Sequence, residues 1–214
     1  MNWPWKKAWI VGASSGLGAE ISRKLSMSGT KVFISARREE VLNDVCDGLE
    51  NTHAVPLDIT SIEECRQAVS AVLKINAKLP DLIILNAAIY TPMSSDNLDP
   101  YECANMIDVN YMGVVNMFIE SMKPELSQVG FDLRLVNPGF IKTRLTDKND
   151  FNMPQLMEVD DAAMRTLKGL ATNKFDIAFP NPFIFYLKVL RILPYRLFFI
   201  LMRRMVAKRL EEGP

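Results

Sequence analysis

Gly12-Ala13-Ser14-Ser15-Gly16-Leu17-Gly18 places three glycines within seven residues, between an apolar run and a stretch whose Leu17, Ile21 and Leu25 share one helical face. A strand that turns tightly into a helix presents unpaired N–H groups and the positive end of the helix dipole, a setting that favours an anion such as a pyrophosphate. Glycine-rich turns also occur for structural reasons alone. Here the strand before, the helix after and a second strand at the right distance select dinucleotide binding, with Gly12, Ser14, Ser15, Gly16, Leu17 and Gly18 as contacts. The second apolar run ends in Ala36-Arg37-Arg38, where an NAD site usually offers a carboxylate to the ribose hydroxyls. Two cations entering a helix oppose its dipole, and a 2′-phosphate supplies their counter-charge. The expected cofactor is therefore NADP, bound in part by Arg37 and Arg38. Two merely solvated surface arginines are the bland alternative.

Elements that position these residues are legible as short apolar runs alternating with longer amphipathic stretches, the pattern of βαβ units. Strands are expected at Ala8 to Ala13, Lys31 to Ala36, Ala54 to Leu57, Leu82 to Asn86, Leu133 to Asn137 and Phe175 to Phe179. Between them, helices are expected from Leu17 to a stop at Ser28-Gly29, and at Glu39 to Leu49, Ile62 to Ala77, Pro100 to Leu126 and Val159 to Ala171. Six strands with right-handed crossovers predict an α/β fold, a Rossmann-like doubly wound parallel sheet in one domain over residues 1–180, with residues 181–214 as a helical tail. The 214 residues suffice for such a core, and 25 basic against 25 acidic side chains give no pull toward nucleic acid. Cys46, Cys65 and Cys103 are too scattered for a disulfide framework or a zinc site, so no metal is expected. A reducing cytoplasm fits best, and Met1 to Trp9 lacks the apolar stretch of a secretory signal. His53, the one histidine, has no partner in view and is read as structural; Cys103 and the twelve methionines are read as core filling.

Taken in order, these motifs resemble the short-chain dehydrogenase/reductase family over most of residues 8–145. The Gly12-xxx-Gly16-x-Gly18 spacing is similar to that family's own glycine motif. Asp58 and Ile59, in Leu57-Asp58-Ile59-Thr60, resemble its adenine contact after the third strand. Asn86-Ala87-Ala88 resembles its Asn-Ala-Gly motif, with Ala88 in place of glycine. Asn110 looks like the helix asparagine that positions a water in the proton relay. Asn137-Pro138-Gly139-Phe140-Ile141-Lys142-Thr143 resembles the Pro-Gly motif, whose loop and Thr143 meet the nicotinamide end. The resemblance implies NADP-dependent hydride transfer between nicotinamide and a carbonyl or secondary alcohol. Members commonly form dimers or tetramers, which leaves a homo-oligomer open.

The chain departs from that pattern where the family carries a strand serine and then Tyr-xxx-Lys. Four positions after Tyr90, Tyr101, Tyr111, Tyr186 and Tyr195 stand Ser94, Asn105, Val115, Leu190 and Phe199, none a lysine. A neighbouring ammonium is what makes a phenol a workable acid at neutral pH, so proton transfer loses its agent. Only 27 positions separate Asn110 from Asn137, and the long helix and next strand consume almost all of them. A further strand and helix need roughly 20 residues more. One βα unit is therefore missing, with the join near Pro124-Glu125, and the strand at Leu133 is expected to slide in beside the strand at Leu82. Asn110 is the one catalytic residue carried over. The competing reading is an NADP-binding pseudoenzyme or a membrane-associated interaction protein.

Residues 183–206 are apolar and aromatic with interspersed cations. Lys188, Arg191 and Arg196 interrupt the run and Pro194 breaks its helix, so it is not a transmembrane span. Two basic amphipathic helices at a membrane surface fit it, as does a helix pair packed on protein.

Overall fold

The central strands are buried on both faces, which is why they read as unbroken apolar runs. The computed structural model describes residues 2–94, 96–122, 132–201 and 203. β1 (Lys7–Val11), β2 (Lys31–Ser35), β3 (Thr52–Ala54) and β4 (Leu82–Leu85) form a parallel sheet in the order β3-β2-β1-β4. Side-chain alternation splits their residues between two cores. Trp9, Val11, Phe33, Ile83 and Leu85 face one way, against Val69, Val72 and Met117. Ala8, Ile10, Val32, Ile34, Leu82 and Ile84 face the other, against Ile21, Leu25, Leu42 and Leu167.

Helices cover both faces, as in a doubly wound fold. α1 (Gly16–Met27) and α2 (Glu39–Cys46) lie on the second face; α3 (Ile62–Asn76) and α5 (Val114–Met122) pack together on the first. The long helix expected from Pro100 is in fact α4 (Pro100–Ile107), then a π-helical segment (Asp108–Gly113), then α5. Its expected end at Leu126, like the join near Pro124-Glu125, lies outside the described residues. β3 comes earlier than the expected Ala54 to Leu57, although Val55 and Leu57 still donate to the carbonyls of Ile34 and Ala36. The buried Trp9 indole donates to Ser35 Oγ at 2.9 Å, and Ser35 donates to the carbonyl of Val55 at 2.6 Å, so polar groups at the sheet's centre are satisfied.

The strand at Leu133 does not join β4. β5 (Leu135–Pro138) pairs in parallel with β6 (Asp176–Phe179), and these two make a separate sheet. Among the described residues β4 and β5 each keep one open edge. The physical reason lies in α6 (Val159–Leu170), which leads into β6 and packs its buried Ala163 and Leu167 against Ile21 and Leu25 of α1. Burying a large apolar side chain contributes about 1.5–3 kcal/mol. A ladder hydrogen bond contributes a net ~0.5–1.5 kcal/mol. Sliding β5 against β4 would disturb the first to gain the second. Lys24 of α1 strengthens the contact by pairing with Asp160 of α6 and with Glu20 at 3.5 Å; the Asp160 hydrogen bond holds its ammonium above the usual lysine range. The break has a visible consequence: every residue of β4 is only half-buried, and Leu135 of β5 is 47% exposed.

α7 (Asn181–Ile192) ends before Pro194, and helix resumes over residues 195–201, which agrees with two helices divided by that proline. No described helix is long and apolar enough to cross a membrane. If α6 on α1 is what holds the second sheet, Leu167→Ala should cost about 2–5 kcal/mol in urea denaturation. An unchanged midpoint would contradict that role.

Candidate functional site

Gly12 ends β1 with φ +90°, and a β-carbon there would sit 2.4 Å from the backbone nitrogen of Ala87. The turn therefore closes against the segment after β4 only because residue 12 has no side chain. Gly18 is equally constrained: its β-carbon would lie 2.2 Å from the carbonyl oxygen of Gly12. Asn86 Nδ2 donates to that same carbonyl at 2.9 Å and locks the turn to β4. α1 starts above this cradle with Ser15 as N-cap, no side-chain cap and no acidic residue in its first turn. Its first amides keep their donors free and its dipole unneutralised, as an anion site requires.

A cavity of about 380 Å³ opens at the carboxyl ends of β1, β4 and β5. Every cofactor candidate from the sequence lines it except Gly18, which lies beneath the turn and lets α1 pass. Ser14, Ser15, Gly16 and Leu17 form one wall; Arg37, Arg38, Asp58 and Ile59 close the end near β2 and β3. Asn86, Ala87 and Ala88 contribute from β4, and Pro138, Gly139 and Thr143 from the loop after β5. Asp58 Oδ1 accepts from the amide and hydroxyl of Thr60 at 2.9 and 2.7 Å, which leaves its other oxygen open. Sequence reasoning passed over Arg144 and Thr146, which also line the cavity. A cationic residue directly after the Pro-Gly motif was the available signal for Arg144.

Asn110 is not among the lining residues. It sits in the π-helical segment, and its carboxamide clamps the backbone of Ile89, accepting from the amide and donating to the carbonyl at 2.8 Å each. The side chain thereby fixes the chain after Asn86-Ala87-Ala88. Opposite, Lys148 Nζ donates to the carbonyl of Tyr90 at 2.7 Å and ties the loop after β5 to the same segment.

Among the described residues no tyrosine, lysine or histidine lines the cavity. Among the described residues no tyrosine hydroxyl takes part in a hydrogen bond, and no cluster of side chains is arranged for a metal ion. His53 lies on β3, stacked on Phe33 at 5.5 Å, with its pKa lowered by burial and then by Lys31. The three cysteines are free; burial above all pushes the Cys65 thiol up to about 11, so it is inert at neutral pH. Cys103 is only partly buried.

Residues 6–119 match the family model described as short chain dehydrogenase. An uncharacterized oxidoreductase of Myxococcus xanthus is 25% identical over 248 aligned positions, covering 94% of this chain and 98% of its own. With 214 residues here against those 248 positions, at least 34 of them have no counterpart in this chain. A 3-oxoacyl-[acyl-carrier-protein] reductase of Rickettsia prowazekii is 24% identical, covering 67% of this chain and 76% of its own. The fold is that of a solved short-chain dehydrogenase from Sphingobium yanoikuyae in complex with NADPH, with TM-score 0.68, 18% identity and coverage of 82% and 88%.

Because Gly18 holds the turn rather than lining it, Gly18→Ala should weaken nucleotide binding at least about tenfold through displacement of α1. Unchanged affinity by fluorescence titration would show that the cradle tolerates a β-carbon.

Proposed function

The chain belongs to the short-chain dehydrogenase family, and on that premise we propose that it binds NADP(H) in the 380 Å³ cavity while lacking the proton-transfer half of the family's reaction. The observation that carries this reading is the lining itself. Anion and nucleotide contacts are present from the ends of five strands, yet among the described residues the only lining carboxylate is Asp58, beyond β3.

When bound, the nicotinamide supplies the hydride that the family exchanges with a carbonyl or secondary alcohol. The residues of this chain bind and orient. The first amides of α1 meet the diphosphate, Asp58 and Ile59 the adenine, and Asn86 to Ala88 with Pro138, Gly139 and Thr143 enclose the nicotinamide end. Asn110 acts through its clamp on Ile89. Reduction of a carbonyl also requires a proton at the oxygen, and among the described residues no tyrosine, lysine or histidine lines the cavity to deliver one. What supports a missing βα unit is the open edge on β4 and on β5, together with the 34 or more unmatched positions in the Myxococcus comparison.

NADP over NAD rests on Arg37 and Arg38, neither of which meets a carboxylate among the described residues. NADPH should bind saturably and at least about tenfold more tightly than NADH, and Arg37→Ala should remove most of that preference. Equal affinity for both cofactors in the unaltered chain would refute the assignment.

A second reading concerns the tail, where Phe185, Tyr186, Ile192, Tyr195, Leu197 and Phe199 are all exposed, Ile192 to 81%. We propose that this face lies on an anionic membrane surface. The full chain should float with phosphatidylserine-containing vesicles and Phe185→Glu/Phe199→Glu should not; equal flotation of both would sink the idea.

A further inference from the structure

Some cations on this protein are answered by carboxylates. Arg23 pairs with Glu20, Arg66 with Glu63, Arg134 with Asp132, Lys142 with Glu158 and Arg165 with Asp161. Arg144, two residues after the paired Lys142, has no hydrogen bond or ion pair among the described residues, and it lines the cavity. Its backbone is firmly placed. The amide of Lys142 donates to the carbonyl of Met157, and that of Met157 to the carbonyl of Phe140, both at 2.9 Å. Thr146 Oγ1 accepts from the amide of Thr143 at 2.9 Å and lies 2.5 Å from the carbonyl of Ile141, which closes the loop around Arg144. The same loop abuts the glycine turn: a β-carbon on Gly16 would come within 3.2 Å of Thr143 Cγ2. The backbone of an arginine with no partner among the described residues is thus held one residue from the contact that joins the loop after β5 to the start of α1. Arg37 and Arg38 belong to the end of β2 and cannot serve this place.

We propose that Arg144 is a second anion anchor, gripping the diphosphate of the nucleotide from the loop side while the first amides of α1 hold it from the other. The inference rests on the cofactor reading of the cavity given above. A guanidinium matches a phosphate with two parallel N–H donors, and among the described residues lining the cavity no carboxylate except Asp58 competes for it.

The test compares the full chain with Arg144→Gln, Arg144→Lys and Arg37→Gln in titrations with NADPH, NADH, ADP-ribose and adenosine 2′-monophosphate. Arg144→Gln should weaken NADPH, NADH and ADP-ribose by one common factor of about tenfold or more and leave adenosine 2′-monophosphate unchanged. Arg144→Lys should recover part of the loss, since it keeps the charge without the fork. Arg37→Gln should show the opposite pattern, weakening NADPH and adenosine 2′-monophosphate but sparing NADH. Arg144 is exposed, so the melting temperature should not move. Unchanged affinity for ADP-ribose in Arg144→Gln, as expected if the arginine instead holds an acidic group of a substrate, would overturn the proposal. So would a loss confined to NADPH. An unaltered chain that bound none of the four ligands would overturn the cofactor reading itself, and this inference with it.

Discussion

The packing of α6 on α1 is what makes one cavity out of two sheets. β4 and β5 share no ladder, so backbone hydrogen bonds do not relate the glycine turn to the Pro-Gly loop. Ala163 and Leu167 against Ile21 and Leu25 do so, with Lys24 and Asp160 at the edge of the same contact. Helix packing then sets the distance across the cavity. Thr143 meets Gly16, and Lys148 reaches the carbonyl of Tyr90, only because α6 holds β6, β6 holds β5, and β5 carries the loop. The half-buried β4 and the exposed Leu135 mark what this arrangement leaves uncovered.

The cavity divides chemically along the same line. On the side of the four-stranded sheet, backbone does the binding, and close approach explains its residues: Gly12 against Ala87, Gly18 under Gly12, Asn86 pinning both. Binding of that kind needs no titratable group. Acid–base chemistry does, and among the described residues no tyrosine, lysine or histidine lines the cavity to carry it. Asn110 lies outside the lining, with its carboxamide bonded to the backbone of Ile89.

Much of this was legible in the residue order. Buried parallel strands require continuous apolar runs, so β1, β2 and β4 stand where Ala8, Lys31 and Leu82 begin such runs, and glycine spacing located the turn. The partner of β5 was not legible. A four-residue strand has no sequence mark of its neighbour, and the outcome depended on packing between α6, which follows β5 in the chain, and α1, which stands far before it. The π-helical segment around Asn110 was hidden for a similar reason, since Val109 and Gly113 fit an ordinary helix until Ile59 packs against Gly113. Arg144 follows directly on a motif already read for Pro138, Gly139 and Thr143, and its place in the lining of the cavity is what the structure adds.

Oxidation of NADPH by a panel of ketones and aldehydes, at cofactor concentrations that saturate binding, tests the central claim most directly. A chain that binds NADPH but turns it over at a negligible rate is the predicted result. Vigorous turnover would contradict the account, because it would require a proton donor that the described residues lining the cavity do not supply.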